Sequence, residues 1–346
     1  MITIARRTLF LAVLPLLAGC GSKKPVLHVY NWDDYIKPGL VARFEQQHGC
    51  RVVIDTYESN ESMLARLQSG ATGYDIIVPT TYMVEIMHKA DMLQELDHSK
   101  LPHLSEIDLE FTSGISAFDT EMRWSVPYMA AATGIGYIKG RVSNPEASWS
   151  MFERPDLKGR TTLLNDMREV IGAALKHLGY SLNTTDVNQL GEAGNVVLKW
   201  RSQIAKFEGD QYNAGLASEE FLLCHGYAGD VLQAQEENDK VDFLIPKEGA
   251  AIGLDSLVIP KNAPQPALAH AFIDFLCQPS HAAENMEEIY YLAPNTGAYA
   301  LVDEELRANP SIFLDPETRA KCEVIHDLGE DNAKYIQVWD HIKAGR

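Results

Sequence analysis

Apolar and polar positions follow two alternating rhythms along the start of this chain. Val26 to Asn31 is a short apolar run, and Leu40 to Gln47 then carries apolar residues at helical spacing. Arg51 to Tyr57 is β-rich, Glu61 to Ser69 is helical, and Tyr74-Asp75-Ile76-Ile77-Val78-Pro79 is a strand stopped by proline. A helix resumes from Met83 to Ala90. This β-α-β-α-β opening predicts a parallel sheet with helices on its faces. Ligands in such sheets sit in the loops at the carboxyl ends of strands, and Asn31 to Tyr35 and Pro79 to Tyr82 both occupy such ends. Tyr57-Glu58-Ser59-Asn60-Glu61 has the composition of a helix start, with Ser59 or Asn60 as the cap.

Further on, Trp124-Ser125-Val126-Pro127-Tyr128-Met129 leads into the small residues Ala130 to Gly136, the pattern of a strand crossing between lobes. Val142 to Gly249 forms a second α/β unit, with strands expected at Thr161 to Leu164 and Phe221 to Tyr227. Asp255 to Pro260 predicts another strand, and Pro266 to Cys277 an amphipathic helix. There is no internal repeat. At 346 residues with 46% hydrophobic residues, the chain can build two lobes of ordinary size.

The first residues are expected to be a leader. Arg6 and Arg7 form a charged region, Thr8 to Leu16 a short apolar one, and Leu17-Ala18-Gly19-Cys20 matches a lipoprotein cleavage site. Cleavage before Cys20 would remove residues 1–19 and leave a lipidated cysteine on a tether of residues 20–26. Arg6-Arg7 is also compatible with twin-arginine export. Loss of the leader takes the formal charge from -18 to -20. So acidic a surface disfavours nucleic acid and anionic headgroups and attracts cations. No later apolar run reaches membrane-spanning length. Cys50, Cys224, Cys277 and Cys322 lack C-x-x-C spacing; sequence leaves open whether any pair, and a zinc site is not expected.

The chemistry-bearing segment is Tyr30-Asn31-Trp32-Asp33-Asp34-Tyr35, whose last four residues hold two aromatics and two carboxylates. Carboxylates make charge-assisted hydrogen bonds to ammonium groups, and aromatic faces cover alkyl chains and attract the charge. Taken alone, the same residues fit two core aromatics flanking a solvated turn. Likewise Asp166 and Glu169, ahead of Val170 to Leu175, fit a helix capping pattern as well as a carboxylate pair.

Several motifs in one order resolve these alternatives. With the loop just described go Thr56-Tyr57-Glu58-Ser59-Asn60-Glu61, Tyr74 to Pro79, Val126-Pro127-Tyr128, Asp166-Met167-Arg168-Glu169-Val170, Ile245-Pro246-Lys247-Glu248-Gly249, Leu254-Asp255-Ser256, Ala293-Pro294-Asn295 and Lys343-Ala344-Gly345-Arg346. On these the chain, from about Leu27 to Arg346, resembles the bacterial periplasmic spermidine/putrescine-binding proteins, the solute receptors of polyamine ABC importers. The resemblance implies an α/β, two-lobed periplasmic-binding-protein fold of type II kind, with a cleft that closes like a jaw. Lobe 1 would comprise 27–135 plus 256–300, and lobe 2 would comprise 136–255 plus 301–346.

By the same resemblance Trp32 and Tyr35 line the cleft, with Asp33 and Asp34 between them and Tyr82 nearby. Asp166 and Glu169 hold one amino end of the ligand, Asp255 meets its middle or other end, and Tyr227 and Tyr291 cover the chain. Three positions depart from the family pattern: Gly253 replaces a tryptophan, Ile325 a glutamine and Gly209 a serine. The implied partners are a polyamine, permease subunits and a membrane reached through Cys20; the protein is expected to be a monomer on the extracytoplasmic side without cofactor. Paired carboxylates also serve glycoside hydrolysis. Against catalysis, the chain has no G-x-S-x-G, H-E-x-x-H or G-x-x-x-x-G-K-[ST], and its eleven histidines show no metal-ligand spacing. The same lobes could serve a sensory receptor, or a pocket retuned to another amine or amino acid.

Overall fold

The computed structural model describes residues 24–112 and 118–345; the expected leader and Cys20 lie outside them. The chain starts with β1 (Val26–Asn31), α1 (Pro38–His48), β2 (Arg51–Thr56), α2 (Asn60–Gln68), β3 (Ile76–Ile77) and α3 (Thr81–Lys89). Its three strands form a parallel sheet in the order β2-β1-β3, as the sequence rhythm requires. Ser59 caps α2, its hydroxyl accepting from the Ser62 amide at 3.2 Å while the Ser59 amide donates to the Ser62 hydroxyl at 3.3 Å. The strand expected over Tyr74–Pro79 is reduced to two residues. Its flank is taken by the buried Asp75, whose carboxylate accepts from the His28 and Gln265 amides at 2.8 and 2.6 Å.

After the short α4 (Leu109–Thr112), the 13-residue β4 (Val126–Ile138) crosses to the second lobe. There follow β5 (Thr161–Leu164), α5 (Met167–His177), α6 (Val187–Arg201), β6 (Lys206–Glu208), α7 (Tyr212–Ala217), β7 (Leu223–Tyr227), α8 (Ala228–Glu237) and β8 (Val241–Leu244). The return crossing is β9 (Ala251–Leu257), antiparallel to the first half of β4. It begins four residues before the strand expected at Asp255, because Gly253 reads as a strand breaker in sequence. Then come α9 (Pro266–Cys277), α10 (Pro279–Ile289), α11 (Glu304–Ala308), α12 (Pro316–Lys321), β10 (Glu323–Val324) and α13 (Asn332–Ala344).

Two cores result. One gathers Leu27, Phe44, Ile76, Phe272 and Met286; the other gathers Trp149, Leu163, Ile171, Trp200 and Leu223. Val302, Leu306 and Ile312 pack in the first core. These three residues fall in the 301–346 stretch and are buried with residues of lobe 1. Cys50, Cys224, Cys277 and Cys322 carry free thiols. Among the described residues no helix is long and apolar enough to cross a membrane.

Candidate functional site

The two crossing strands form the back of a cleft between the lobes, which encloses about 1020 Å³ counting its open mouth. Trp32, Asp33, Asp34, Tyr35, Tyr82, Asp166, Glu169, Tyr227, Asp255 and Tyr291 all line it, from six separate stretches of chain. So do Gly209, Gly253 and Ile325.

Lobe 1 supplies an aromatic wall whose polar ends are already tied. The Trp32 Nε1 and the Tyr57 hydroxyl both donate to the Val78 carbonyl, at 2.9 and 2.6 Å, and the two rings lie 4.4 Å apart. The Tyr35 ring meets Tyr291 edge-on at 4.8 Å. Its hydroxyl donates to Asp255 Oδ2 at 2.7 Å, while Thr80 donates to Oδ1 at 2.6 Å. Thr80 is itself placed by Asn60, whose amide nitrogen donates to its hydroxyl at 3.0 Å. Each carboxylate oxygen of Asp255 thus has one donor and a lone pair left over for a ligand.

Lobe 2 supplies the opposing carboxylates. Asp166 does cap α5, accepting from the Arg168 and Glu169 amides at 2.8 and 3.0 Å. The cap and the site coincide, because the same helix end points at the cleft. Glu169 turns away from the cap and accepts from the Thr133 hydroxyl at 3.0 Å. Arg168, the nearest cation, is buried and engaged with the His326 carbonyl, Asn183 and Asn332 instead.

Sequence reasoning missed Tyr57, Glu58, Asn60, Thr80, Asp210, Asn213 and Asp230 as lining residues. Asp230 accepts from the Tyr291 hydroxyl at 2.6 Å and from that of Tyr212. The rule that singled out the Trp32 loop would have found three of them. Glu58, Asp210 and Asp230 follow β2, β6 and β7 by two or three residues, at the carboxyl ends of parallel strands.

The electrostatics of the lining are one-sided. It contains eight carboxylates and no lysine, arginine or histidine. Withdrawal from water pushes Asp255 and Asp210 up to about 6 and raises Asp34, Asp166, Glu169 and Asp230, the neighbouring acids adding to this at Asp34, Glu169, Asp210 and Asp230. Among the described residues no group of acidic, His or Cys side chains is set to hold a metal ion. A cation entering the cleft favours the ionised carboxylates, so it must expel protons. Binding of a cation is expected to release protons, most strongly near pH 6, and to weaken as pH falls from 7 to 5. Calorimetric titration in buffers of different ionisation enthalpy measures that release.

Comparison with known proteins finds relatives along nearly the whole chain. Residues 39–313 match the family described as bacterial extracellular solute-binding protein. A putrescine/cadaverine-binding protein of Pseudomonas aeruginosa is 35% identical over 349 residues, covering 96% of this chain and 98% of its own. A spermidine/putrescine-binding periplasmic protein of Escherichia coli is 36% identical, with 92% of each chain covered. A solved structure described as a putative spermidine/putrescine ABC transporter from Listeria monocytogenes superposes with a TM-score of 0.87 at 32% identity, over 93% of this chain and all of that one.

Proposed function

The chain belongs to the bacterial extracellular solute-binding protein family, and from that premise we propose that it captures a polyamine, putrescine or spermidine, for an ABC importer. The observation that carries the reading is the all-acidic, aromatic-walled cleft without a single basic side chain. Its relatives' names point to the same ligands. An ammonium at Asp255 and another at Asp166 and Glu169 form charge-assisted hydrogen bonds of about 1.5–3 kcal/mol each. Trp32, Tyr35, Tyr227 and Tyr291 cover the methylenes, and Asp33 and Asp34 at the rim draw the cation in. Tyr82 lines the cleft, and its hydroxyl donates to Glu61 at 3.0 Å.

Binding both charged partners in one closing step avoids the cost of an unpaired buried charge. The liganded, closed lobes are then the form a permease recognises, so capture is passed on as a shift in population. In this reading the protein is a monomeric receptor, held at the extracytoplasmic face through lipidated Cys20, and performs no chemistry. Titration of putrescine, cadaverine, spermidine and spermine into protein lacking residues 1–20 tests it. Micromolar or tighter binding of at least one amine is expected, and folded protein that gives heat with none of them refutes it.

A further inference from the structure

The floor of the cleft carries no polar side chain over one stretch, and it lies between two carboxylates. On β9, Gly253 and Asp255 are two residues apart and face the same side, about 6.8 Å from one another along the strand. Ala131 pairs with Gly253, and Thr133, two residues further along β4, carries Glu169 by its hydroxyl. On the other flank Val324 pairs with Ile252, which brings Ile325 beside Gly253. Ala131, Gly253, Val324 and Ile325 therefore form an apolar floor with Asp255 at one end and Glu169 at the other, and all six line the cleft.

That floor is set low. A Cβ built on Gly253 would meet nothing closer than the Ala131 carbonyl oxygen at 3.9 Å, and its backbone is not in the left-handed region. Space at this position is thus not demanded by packing or by the chain's conformation. A linear diamine is one methylene wide and leaves the floor uncovered between its two charged ends. A ring or branched segment there removes more apolar surface from water on both partners, at no polar cost.

Resting on the amine-receptor reading above, we infer that this cleft takes diamines whose two ammonium groups flank a broad apolar segment, a ring or a branched chain, and that Gly253 is the residue that admits it. Two probes of equal path length between nitrogens isolate the effect: 1,6-diaminohexane, which is linear, and 1,4-bis(aminomethyl)benzene, which has a ring in the middle. Wild-type protein is expected to bind the ring compound at least as tightly as the linear one. Gly253→Trp fills the floor and is expected to shift the ratio of affinities at least tenfold towards the linear diamine, and Gly253→Leu shifts it in the same direction.

Tighter binding of the linear diamine by wild type overturns the inference, as does a ratio that neither folded variant moves. Putrescine and spermidine run in the same series keep the two conclusions apart. If they bind and the ring compound does not, only the inference falls; if no amine binds folded protein, the receptor reading falls with it.

Discussion

Asp255→Asn is expected to cost about 10²-fold to several thousand-fold in affinity for any amine the cleft binds, without lowering the stability of the empty protein. The carboxylate sits at the back of the cleft between the Tyr35 and Thr80 hydroxyls. An ammonium that arrives there and finds an amide is a buried charge lacking its partner, a loss of about 3–5 kcal/mol, with each 1.4 kcal/mol worth a factor of ten. Stability moves the other way. Asp255 titrates near 6 in the fold against 3.8 for the ordinary group, so folding favours its protonated form. The contribution to stability is full below 3.8 and is lost as pH rises through 6, so at pH 7.5 the ionised side chain weighs against the empty fold. A neutral side chain of the same shape relieves that burden. Calorimetric titration together with melting temperature at pH 7.5 checks both halves. A variant that loses affinity and melts several degrees lower would make Asp255 a structural residue instead.

The local rhythm of the chain carried the fold further than it carried the site. The parallel β1-α1-β2-α2-β3 opening follows from apolar spacing and from Pro79, and the Trp32 loop follows from strand-end position alone. Asp255 could not be read that way. Its significance comes from Tyr35, 220 residues distant, and from Thr80, 175 residues distant. Both are brought to it by the crossing of β9 past lobe 1, and the resemblance rather than the residue pattern singled it out. Asp230, three residues past β7, was within reach of that strand-end rule; what no spacing in sequence announces is its pairing with tyrosines on α7 and after α10. Asp166 shows the opposite case, where a cap signal visible in sequence concealed a cleft carboxylate.

The second large effect is expected at a residue with no polar chemistry of its own. Gly229 lies in the first turn of α8 in lobe 2, against Tyr291 of lobe 1. A Cβ there would lie 2.0 and 2.1 Å from Tyr291 Cε2 and Cδ2, and 2.9 Å from the Ile289 carbonyl oxygen. Neither side yields cheaply. Tyr291 is 6% exposed and packed in the first core, and Ile289 ends α10 while accepting from Gln233 at 2.9 Å. Gly229→Ala must therefore push the lobes apart at their inner edge, at about 1–3 kcal/mol for overpacking. The displaced ring takes its hydroxyl from Asp230 and its edge from Tyr35, and Tyr35 is one of the two donors on Asp255. A tenfold or greater loss of affinity is expected, arising mainly as faster dissociation because the two lobes no longer meet closely beside the site. Tyr291→Phe separates the two causes. It keeps the ring in place and removes only the bond to Asp230, so it should cost less affinity than Gly229→Ala and leave the melting temperature nearer to wild type. Dissociation rates by stopped flow and thermal melts of both variants decide it. Equal losses from the two substitutions would place the effect in the Asp230 hydrogen bond and not in the fit between the lobes.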